Sequence, residues 1–172
     1  MTNWIVEKLD KNLHDRNKFS CGVHVLDEYL KTRANKEQKN HLNVTFVATF
    51  SSKSGSLKPI GGYYTLSNSS IKLDSIPPNL QKGVPLSYDI PSIKIGRLAV
   101  DQAYQGNGVG KLLLKNASLK IIEAAVITGV KCVEVVAKDN QAAKFYEKFG
   151  FVRLKDHNHL ILHIDTLIKA SA

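Results

Sequence analysis

A glycine-rich turn between a predicted strand and a predicted helix constrains this chain more than any other feature. The turn reads Gln105-Gly106-Asn107-Gly108-Val109-Gly110. A strand-like run from Ser92 to Val100 precedes it, and apolar residues recur at helical spacing after it. The first backbone N–H groups of a helix have no partner within the helix, and the helix dipole adds partial positive charge there. This order of elements therefore predicts a site for a pyrophosphate group.

The residue types in the turn suit contact with a phosphate. Gly106, Gly108 and Gly110 put no side chain between backbone and ligand, and they permit positive φ. Gln105 offers an uncharged donor, and Lys111 adds a positive charge nearby. The turn lacks the Gly-Lys-Ser/Thr of a P-loop, and the chain lacks the early strand and ribose-binding acid of a dinucleotide fold. A plain glycine-rich turn without a ligand is the alternative.

Two further helices are predicted from apolar spacing and capping residues. Apolar residues recur at steps of three and four residues from Val23 to Ala34, with Ser20 before them as the N-cap. Asp139 and Asn140 can cap a short helix that runs through Lys148, and Gly150 follows as its stop. Four of the five prolines fall in residues 74–91, which predicts a surface loop over or beside a site.

Strand-like runs alternate with these helices along the whole chain. They lie at residues 44–50, 60–67, 92–100, 132–137, 151–154 and 160–164. No internal repeat and no Gly/Ser-rich or charged linker divides the chain. We therefore predict a single domain over residues 1–172, of the α/β (α+β) class, with a central mixed β-sheet flanked by helices.

Charge and cysteine content narrow the function classes. The formal net charge is +9, from 24 Lys and Arg against 15 Asp and Glu, which indicates a polyanionic partner or an anionic cofactor. Cys21 and Cys132 are the only cysteines, which excludes a disulfide framework and a four-cysteine zinc site. No segment has the apolar length needed to cross a bilayer, so we expect a cytoplasmic protein with no membrane partner.

Two motifs about thirty residues apart resemble those of the GNAT acetyltransferases. The first is Arg97-Leu98-Ala99-Val100-Asp101 followed by Tyr104 and the glycine-rich turn, and it is similar to that superfamily's coenzyme A motif. The second comprises Asn140, Ala143, Phe145-Tyr146 and Phe149-Gly150-Phe151. The resemblance implies an N-acetyltransferase that uses acetyl-coenzyme A as cosubstrate and needs no metal.

The resemblance also assigns roles to residues. It implies that backbone groups of Leu98, Ala99 and Val100 bind pantetheine and the acetyl carbonyl, with the Val100 amide as oxyanion donor. It implies that residues 105–111 bind the coenzyme A phosphates and that Tyr146 protonates the departing thiolate. Aromatic packing alone is the alternative for Tyr146. Asn140 is expected to cap its helix and contact the pantetheine arm or the phosphate region, although the cap alone would justify its presence.

No motif places a general base. Glu134 and the histidines at 157, 159 and 163 are conceivable bases, but solvated strand and turn residues are the simpler interpretation. A free α-amine titrates at about 7.7–8 in model peptides, so it needs little help, whereas a lysine amine at about 10.4 needs a strong base. Cys21 is expected to be a small buried side chain without a function.

The amino-terminal third, together with segments further along nearly the whole chain, resembles the GNAT toxins of bacterial toxin–antitoxin pairs. The similar positions are Phe19-Ser20-Cys21-Gly22, Leu26-Asp27, Tyr29-Leu30, Ala34, Gly62 to Ser67 and Ala137 to Asp139. This resemblance implies acetylation of the α-amine of aminoacyl-tRNA, which blocks translation, and neutralisation by a ribbon-helix-helix antitoxin. An N-acetyltransferase for a small amine or a protein amine is one alternative. A non-catalytic basic module that binds nucleic acid or an antitoxin is another.

Basic residues after the first helical apolar stripe are the candidate tRNA surface. Lys31, Arg33, Lys36 and Lys39 form the densest basic segment, although such a run is also typical of a solvated helix face. Arg97 is a second candidate, either for tRNA contact or as a structural salt-bridge partner. The chain has Asn40-His41-Leu42-Asn43 where this subfamily is expected to carry arginines. A homodimer is possible, and the sequence does not fix the assembly.

Overall fold

The architecture comes from a computed structural model that describes residues 3–51, 55–155 and 158–172. The chain divides into two compact units. Unit 1 contains residues 1–67 and 97–117, and unit 2 contains residues 68–96 and 118–172. Two long strands, Lys58–Ile71 and Ile90–Val100, and one long helix, Val109–Ile127, each contribute residues to both units.

Unit 1 joins an antiparallel group of strands to a broken helix. Strand β1 (Ile5–Lys8) pairs antiparallel with β3 (Val44–Thr49), and β3 pairs antiparallel with β4 (Lys58–Ile71), with Ile5 opposite Thr49 and Val44 opposite Leu66. The short strand β2 (His14–Asp15) runs parallel to the start of β4. The elements of this unit are β1 (Ile5–Lys8), β2 (His14–Asp15), α1 (His24–Glu28), a π-helical turn (Tyr29–Arg33), α2 (Ala34–Lys39), β3 (Val44–Thr49) and the first part of β4 (Lys58–Ile71).

The helix of unit 1 differs from its sequence prediction at two places. It begins at His24 with Val23 before it and has no side-chain cap, so the expectation that Ser20 is the N-cap is wrong. Gly22, at φ +85°, turns the chain between Ser20 and the helix. A π-helical turn follows α1, in which the Ala34 N–H donates to the Tyr29 carbonyl five residues earlier.

The core of unit 1 is aromatic. The rings of Phe19 and Tyr63 meet edge to face with centroids 5.4 Å apart, and Tyr29 stacks on Tyr63 at 6.2 Å. The Tyr63 hydroxyl is buried and donates to the Leu26 carbonyl at 2.8 Å. This cluster fixes the helix against the strands through both packing and a satisfied buried hydrogen bond. The cluster also includes Leu9, Cys21, Leu30, Ala34, Val47, Ile60 and Ala99.

Unit 2 combines parallel and antiparallel pairing, which confirms the predicted mixed sheet. Strand β5 (Ile90–Val100) pairs parallel with β6 (Cys132–Val136), with Ser92 opposite Cys132. Strand β8 (His159–His163) pairs antiparallel with β6 and with β7 (Val152–Arg153). The helices of this unit are α3 (Pro78–Gln81), the second part of α4 (Val109–Ile127), α5 (Asn140–Glu147) and α6 (Ile164–Ser171). Helix α6 was not anticipated from the sequence.

The proline-rich segment is more ordered than the predicted loop. It contains a 3-10 turn, Leu73–Ser75, and the single-turn helix α3. Leu73, Leu80 and Val84 pack against a buried cluster of Ile71, Ile76, Ile90, Cys132, Leu154 and Ile161. These apolar side chains explain why the segment covers the sheet of unit 2. Within the described ranges, no helix is both long and apolar enough to span a bilayer.

Candidate active site

The glycine-rich turn in unit 1 has the conformation that its sequence predicts. Gly106 and Gly108 have φ values of +78° and +80°, which side chains with a Cβ rarely adopt. A Cβ at either position would meet no atom of the described residues within 4 Å, so this side of the turn is open. Helix α4 begins at Val109, which is buried, and the Leu112 N–H donates to Gly108 O at 3.0 Å. The turn therefore directs the unpaired N–H groups of a helix start towards an open surface.

Gln105 holds the turn in place. Its side-chain amide donates to the carbonyls of Cys21 and Val100, both at 3.0 Å. These two bonds use both hydrogens of the amide, in place of the phosphate contact expected of it. The exposed Asn107 and Lys111 and the backbone N–H groups are what the turn presents to solvent. Gln105 thus ties the turn to the segment before α1 and to the end of β5.

Asp101 ends the strand that leads into the turn. Its carboxylate accepts from the Ser20 N–H and from the Ala103 N–H, both at 2.9 Å. Its own N–H donates to the Gly61 carbonyl at 3.0 Å. Ala99 is buried in the core of unit 1, while Leu98 and Val100 are half-buried. Asp101 therefore anchors the end of β5 at the point where the chain enters the turn.

Arg97 stacks on an aromatic ring. Its guanidinium carbon lies 3.6 Å from the centroid of Tyr29, and the side chain forms no ion pair with any residue that the structure describes. This cation–π contact replaces the salt bridge that the sequence left open. The Tyr29 hydroxyl donates to Asn43 at 3.2 Å, and the Asn43 amide donates to Glu37 at 2.7 Å. Glu37 also pairs with Arg33 at 2.6 Å.

Tyr146 lies on α5 in unit 2 and is 7% exposed. Its ring packs edge to face on Phe145 at 5.2 Å and on Phe151 at 5.5 Å. Burial raises the pKa of the phenol above its ordinary value of about 10. Across the described residues, its hydroxyl has no hydrogen-bond partner. This group stays protonated at neutral pH and has a proton free to donate.

Asn140 does not cap α5, which corrects one of its two expected roles. Asp139 is the cap, because its carboxylate accepts from the Ala142 N–H at 2.8 Å. The Asn140 side-chain oxygen instead accepts from Arg153 at 2.7 Å. Gly150 has φ +89° and follows the end of the helix, as predicted.

Glu134 is buried, which contradicts the interpretation of this residue as solvated. It is 3% exposed, and its carboxylate lies 2.6 Å from His159 Nε2 and 3.3 Å from the Ser92 hydroxyl. His163 lies 3.5 Å from Asp165, and His157 is outside the described residues. The signal for burial was available, since Glu134 is flanked by apolar residues on both sides. The described ranges hold no group of three or more His, Cys, Asp or Glu side chains suited to a metal ion.

The basic candidates of the first helix differ in availability. Lys31 is half-buried and its carbonyl accepts from Arg16 at 2.9 Å, while Arg33 is paired with Glu37. Lys36 and Lys39 are exposed, and neither forms an ion pair within the described part of the chain. Of the four, Arg33 is ion-paired and Lys31 is half-buried, so Lys36 and Lys39 are the two most available to a ligand.

Comparison with known proteins agrees with the N-acetyl transfer that the sequence motifs predict. Residues 81–153 match the family described as acetyltransferase (GNAT) domain. The tRNA-acetylating toxin of Mycobacterium tuberculosis is 29% identical over 163 residues, which cover 94% of this chain and 93% of that protein.

Two solved structures share the fold over almost the whole chain. AtaT complexed with acetyl-methionyl-tRNAfMet is 26% identical with a TM-score of 0.89, over 99% of this chain and 100% of that chain. A tyrosine-to-phenylalanine variant of AtaT, bound to acetyl-CoA and the C-terminus of the antitoxin AtaR, is 24% identical with a TM-score of 0.82 over 97% of both chains. With the family match, these likenesses confirm the expectation from the motifs. Residues 81–153 of this chain thus match the GNAT acetyltransferase domain, and the chain is an acetyl-coenzyme A dependent N-acetyltransferase.

Proposed function

We propose that this enzyme acetylates the α-amine of the amino acid on charged tRNA and so blocks translation. The similarity to a tRNA-acetylating toxin over 94% of the chain carries the proposal. The net charge of +9 supports it, because a polyanionic substrate is attracted by an excess of Lys and Arg. Charged tRNA resides where translation occurs, which is consistent with action in the cytoplasm.

The proposed coenzyme A site lies in unit 1. The pyrophosphate binds the backbone N–H groups of Gly106 and of residues 108–110, with the side chains of Asn107 and Lys111 at the open side of the turn. Pantetheine follows the backbone of Leu98 and Ala99, and the Val100 N–H donates to the acetyl oxygen as negative charge develops there. The left-handed φ values of Gly106 and Gly108 support this assignment.

Transfer then requires one protein proton donor. The neutral α-amine attacks the acetyl carbonyl carbon, and a C–N bond forms as the C–S bond breaks. We assign the proton on the departing coenzyme A sulfur to Tyr146, whose pKa is raised by burial. The amine's surplus proton passes to solvent, because an α-amine that titrates at about 7.7–8 already has an appreciable neutral fraction near neutral pH without a strong base. Asn140, adjacent to the cap of α5, is assigned to the pantetheine arm.

A ribbon-helix-helix antitoxin is the protein partner that we propose. AtaT binds the C-terminus of the antitoxin AtaR, and the AtaT chain of that complex shares the fold of this chain. Co-expression with a neighbouring small gene product should relieve translation arrest and yield a stable complex on gel filtration. Arrest that persists despite full expression of that product would contradict the assignment.

Transfer of labelled acetyl from acetyl-CoA to a pool of charged tRNA tests the proposed substrate. Uncharged tRNA and a polyamine serve as parallel acceptors. We expect label on charged tRNA, lost on mild alkaline release of the amino acid and recovered as the N-acetyl amino acid. Label on the polyamine alone would favour the small-amine enzyme. An absence of label on every acceptor would favour the non-catalytic binding module.

Tyr146→Phe tests the proton donor. The variant keeps the ring and its contacts with Phe145 and Phe151, so folding and acetyl-CoA affinity should hold while kcat falls by about 10²–10⁴-fold. Tyr88→Phe is the matched control, because Tyr88 is an exposed tyrosine of unit 2. Turnover by Tyr146→Phe at the rate of the control would remove Tyr146 from the mechanism.

A further inference from the structure

Unit 1 contains a groove that the sequence did not indicate. It has a volume of about 530 Å³ and lies between residues 7–14 and helix α2. Three lysines line it, Lys8 and Lys11 from the first segment and Lys39 from the helix. Only Lys39 belonged to the basic segment identified in the sequence. The fold therefore brings together positive charges from two separate parts of the chain.

The walls of the groove are held by hydrogen bonds. The Gln38 amide donates to the Leu9 carbonyl and accepts from the Thr45 N–H, both at 3.0 Å. The facing segment is closed into a turn, in which the His14 N–H donates to Asp10 O at 3.0 Å. These bonds fix the distance between the two walls without a ligand. A preformed groove avoids part of the ordering cost of binding.

One of the two carboxylates that line the groove is compensated. Glu7 is bonded to Lys58 at 2.6 Å and to His14 Nε2 at 2.9 Å. The hydrogen bond from Lys58 is the main reason that the pKa of Glu7 lies below its ordinary value. The Asp10 carboxylate accepts from the Asn12 N–H at 2.8 Å, a neutral donor that leaves its negative charge in place. The three lysines therefore face one uncompensated carboxylate, and the groove keeps an excess of positive charge.

The three lysines are exposed and form no ion pair within the described ranges. A concave surface lined with charge of one sign concentrates its potential and attracts ligands of opposite sign. Asn12 and Asn35 add amide donors and acceptors along the same groove. The groove thus presents an excess of positive charge with polar groups suited to sugar and phosphate.

We propose that this groove binds backbone phosphates of the RNA substrate, an inference that rests on the proposed function. Lysine is depleted at protein–protein interfaces, where aromatic side chains are enriched, and no aromatic residue lines the groove. Phosphate contacts by lysine carry no sequence information, so the groove orients the RNA without selecting the amino acid. The RNA surface therefore includes Lys8, Lys11 and Lys39, while Arg33 is occupied by Glu37.

The test compares two double variants that each remove two positive charges. Lys8→Gln/Lys11→Gln changes the groove, and Lys72→Gln/Lys120→Gln is the control, because those lysines pair with Asp89 and Glu123. Affinity for uncharged tRNA is measured from about 50 to 200 mM salt, where each phosphate contact contributes about 0.7–0.9 to the slope of log affinity against log salt. We expect the groove variant to lower the slope by about 1.4–1.8 and the control to change it far less.

Further arms separate the sources of any effect. Acetyl-CoA affinity should be equal in all variants, and Lys8→Arg/Lys11→Arg should restore the salt slope. A groove variant with the slope of the control overturns the inference, as does tighter groove-dependent binding of a polyglutamate peptide than of tRNA. If wild-type enzyme binds tRNA through the groove but acetylates only a polyamine, the proposed function fails and the groove stands. If it acetylates charged tRNA while the groove variant has an unchanged KM, the groove alone fails.

Discussion

Gly62→Ala should damage both stability and cofactor binding, because Gly62 lies beneath the proposed pantetheine strand. A Cβ at this position would come within 2.8 Å of the Ala99 carbonyl oxygen, 2.8 Å of a Leu113 methyl and 3.2 Å of a Val109 methyl. Ordinary contact begins at 3.4 Å, so two neighbours must each move by about 0.6 Å. One of them is backbone of β5, and the others lie on the helix that follows the phosphate turn.

The expected loss of stability in Gly62→Ala follows from overpacking of the core. Such insertions cost about 1–3 kcal/mol, and each kcal/mol lowers Tm by about 2–4 °C in a chain of this size. We therefore expect a fall in Tm of roughly 2–12 °C. A misplacement of about 1 Å can cost up to about 10²-fold in rate, so kcat/KM for acetyl-CoA should fall by roughly tenfold. Thermal unfolding and steady-state kinetics at saturating acceptor measure the two effects.

Gly129→Ala is the matched control. A Cβ there would meet no described atom within 4 Å, and its φ is not in the left-handed region. This variant should change stability by less than about 0.5 kcal/mol or raise it slightly by restricting the unfolded chain. If Gly62→Ala unfolds at the temperature of the control and keeps its kcat/KM, the close approach of β4 to β5 does not position the cofactor strand.

Other predictions concern unit stability and thiol chemistry. Asp27→Ala should cost about 1–3 kcal/mol in urea unfolding, because Asp27 is buried and accepts from the Cys21 N–H at 2.7 Å, which would lose its partner. Glu7 has a lowered pKa in the folded state, so its contribution is present above the unfolded value of about 4.3 and is lost as pH falls. The difference in unfolding free energy between wild type and Glu7→Gln should therefore shrink as pH is lowered through this range, and a constant difference would refute the pairing. Cys21 and Cys132 are buried with pKa values raised to about 11, so mass spectrometry should find both unalkylated by iodoacetamide until the protein is denatured.

Features set by local sequence were predictable. The strand, turn and helix around Gly106 and Gly108 follow from a glycine requirement at two positions one residue apart, and the structure confirms the two positive φ values. The mixed sheet follows from alternation of strand-like and helical runs. Tyr146 and Asn140 were found through motif spacing on one short helix, although their catalytic roles stay predictions. Each of these inferences depends on residues close together in sequence.

Features set by distant contacts could not be predicted in the same way. Ser20 resembles an N-cap, but its N–H bonds to Asp101, 81 residues away. Gln105 resembles a phosphate ligand, but its amide bonds to Cys21, 84 residues away. Arg97 has an aromatic partner on another element, and sequence pattern does not reveal which ring a cation will meet. In each case the side chain has two satisfactory uses, and only the tertiary fold selects one.

The π-helical turn at Tyr29–Arg33 sets the register of everything after it in that helix. It accommodates one more residue than a regular turn, so the same sequence wound as an uninterrupted α-helix would have α2 rotated by about 100° about its axis. Gln38 would then lose the Leu9 carbonyl and the Thr45 N–H, and Lys39 would turn away from the groove. Deletion of Thr32 would instead restore a regular α-helix and leave Gln38 and Lys39 on the same side, so the groove should persist. The extra residue lets one helix both pack on the aromatic core of unit 1 and line the groove.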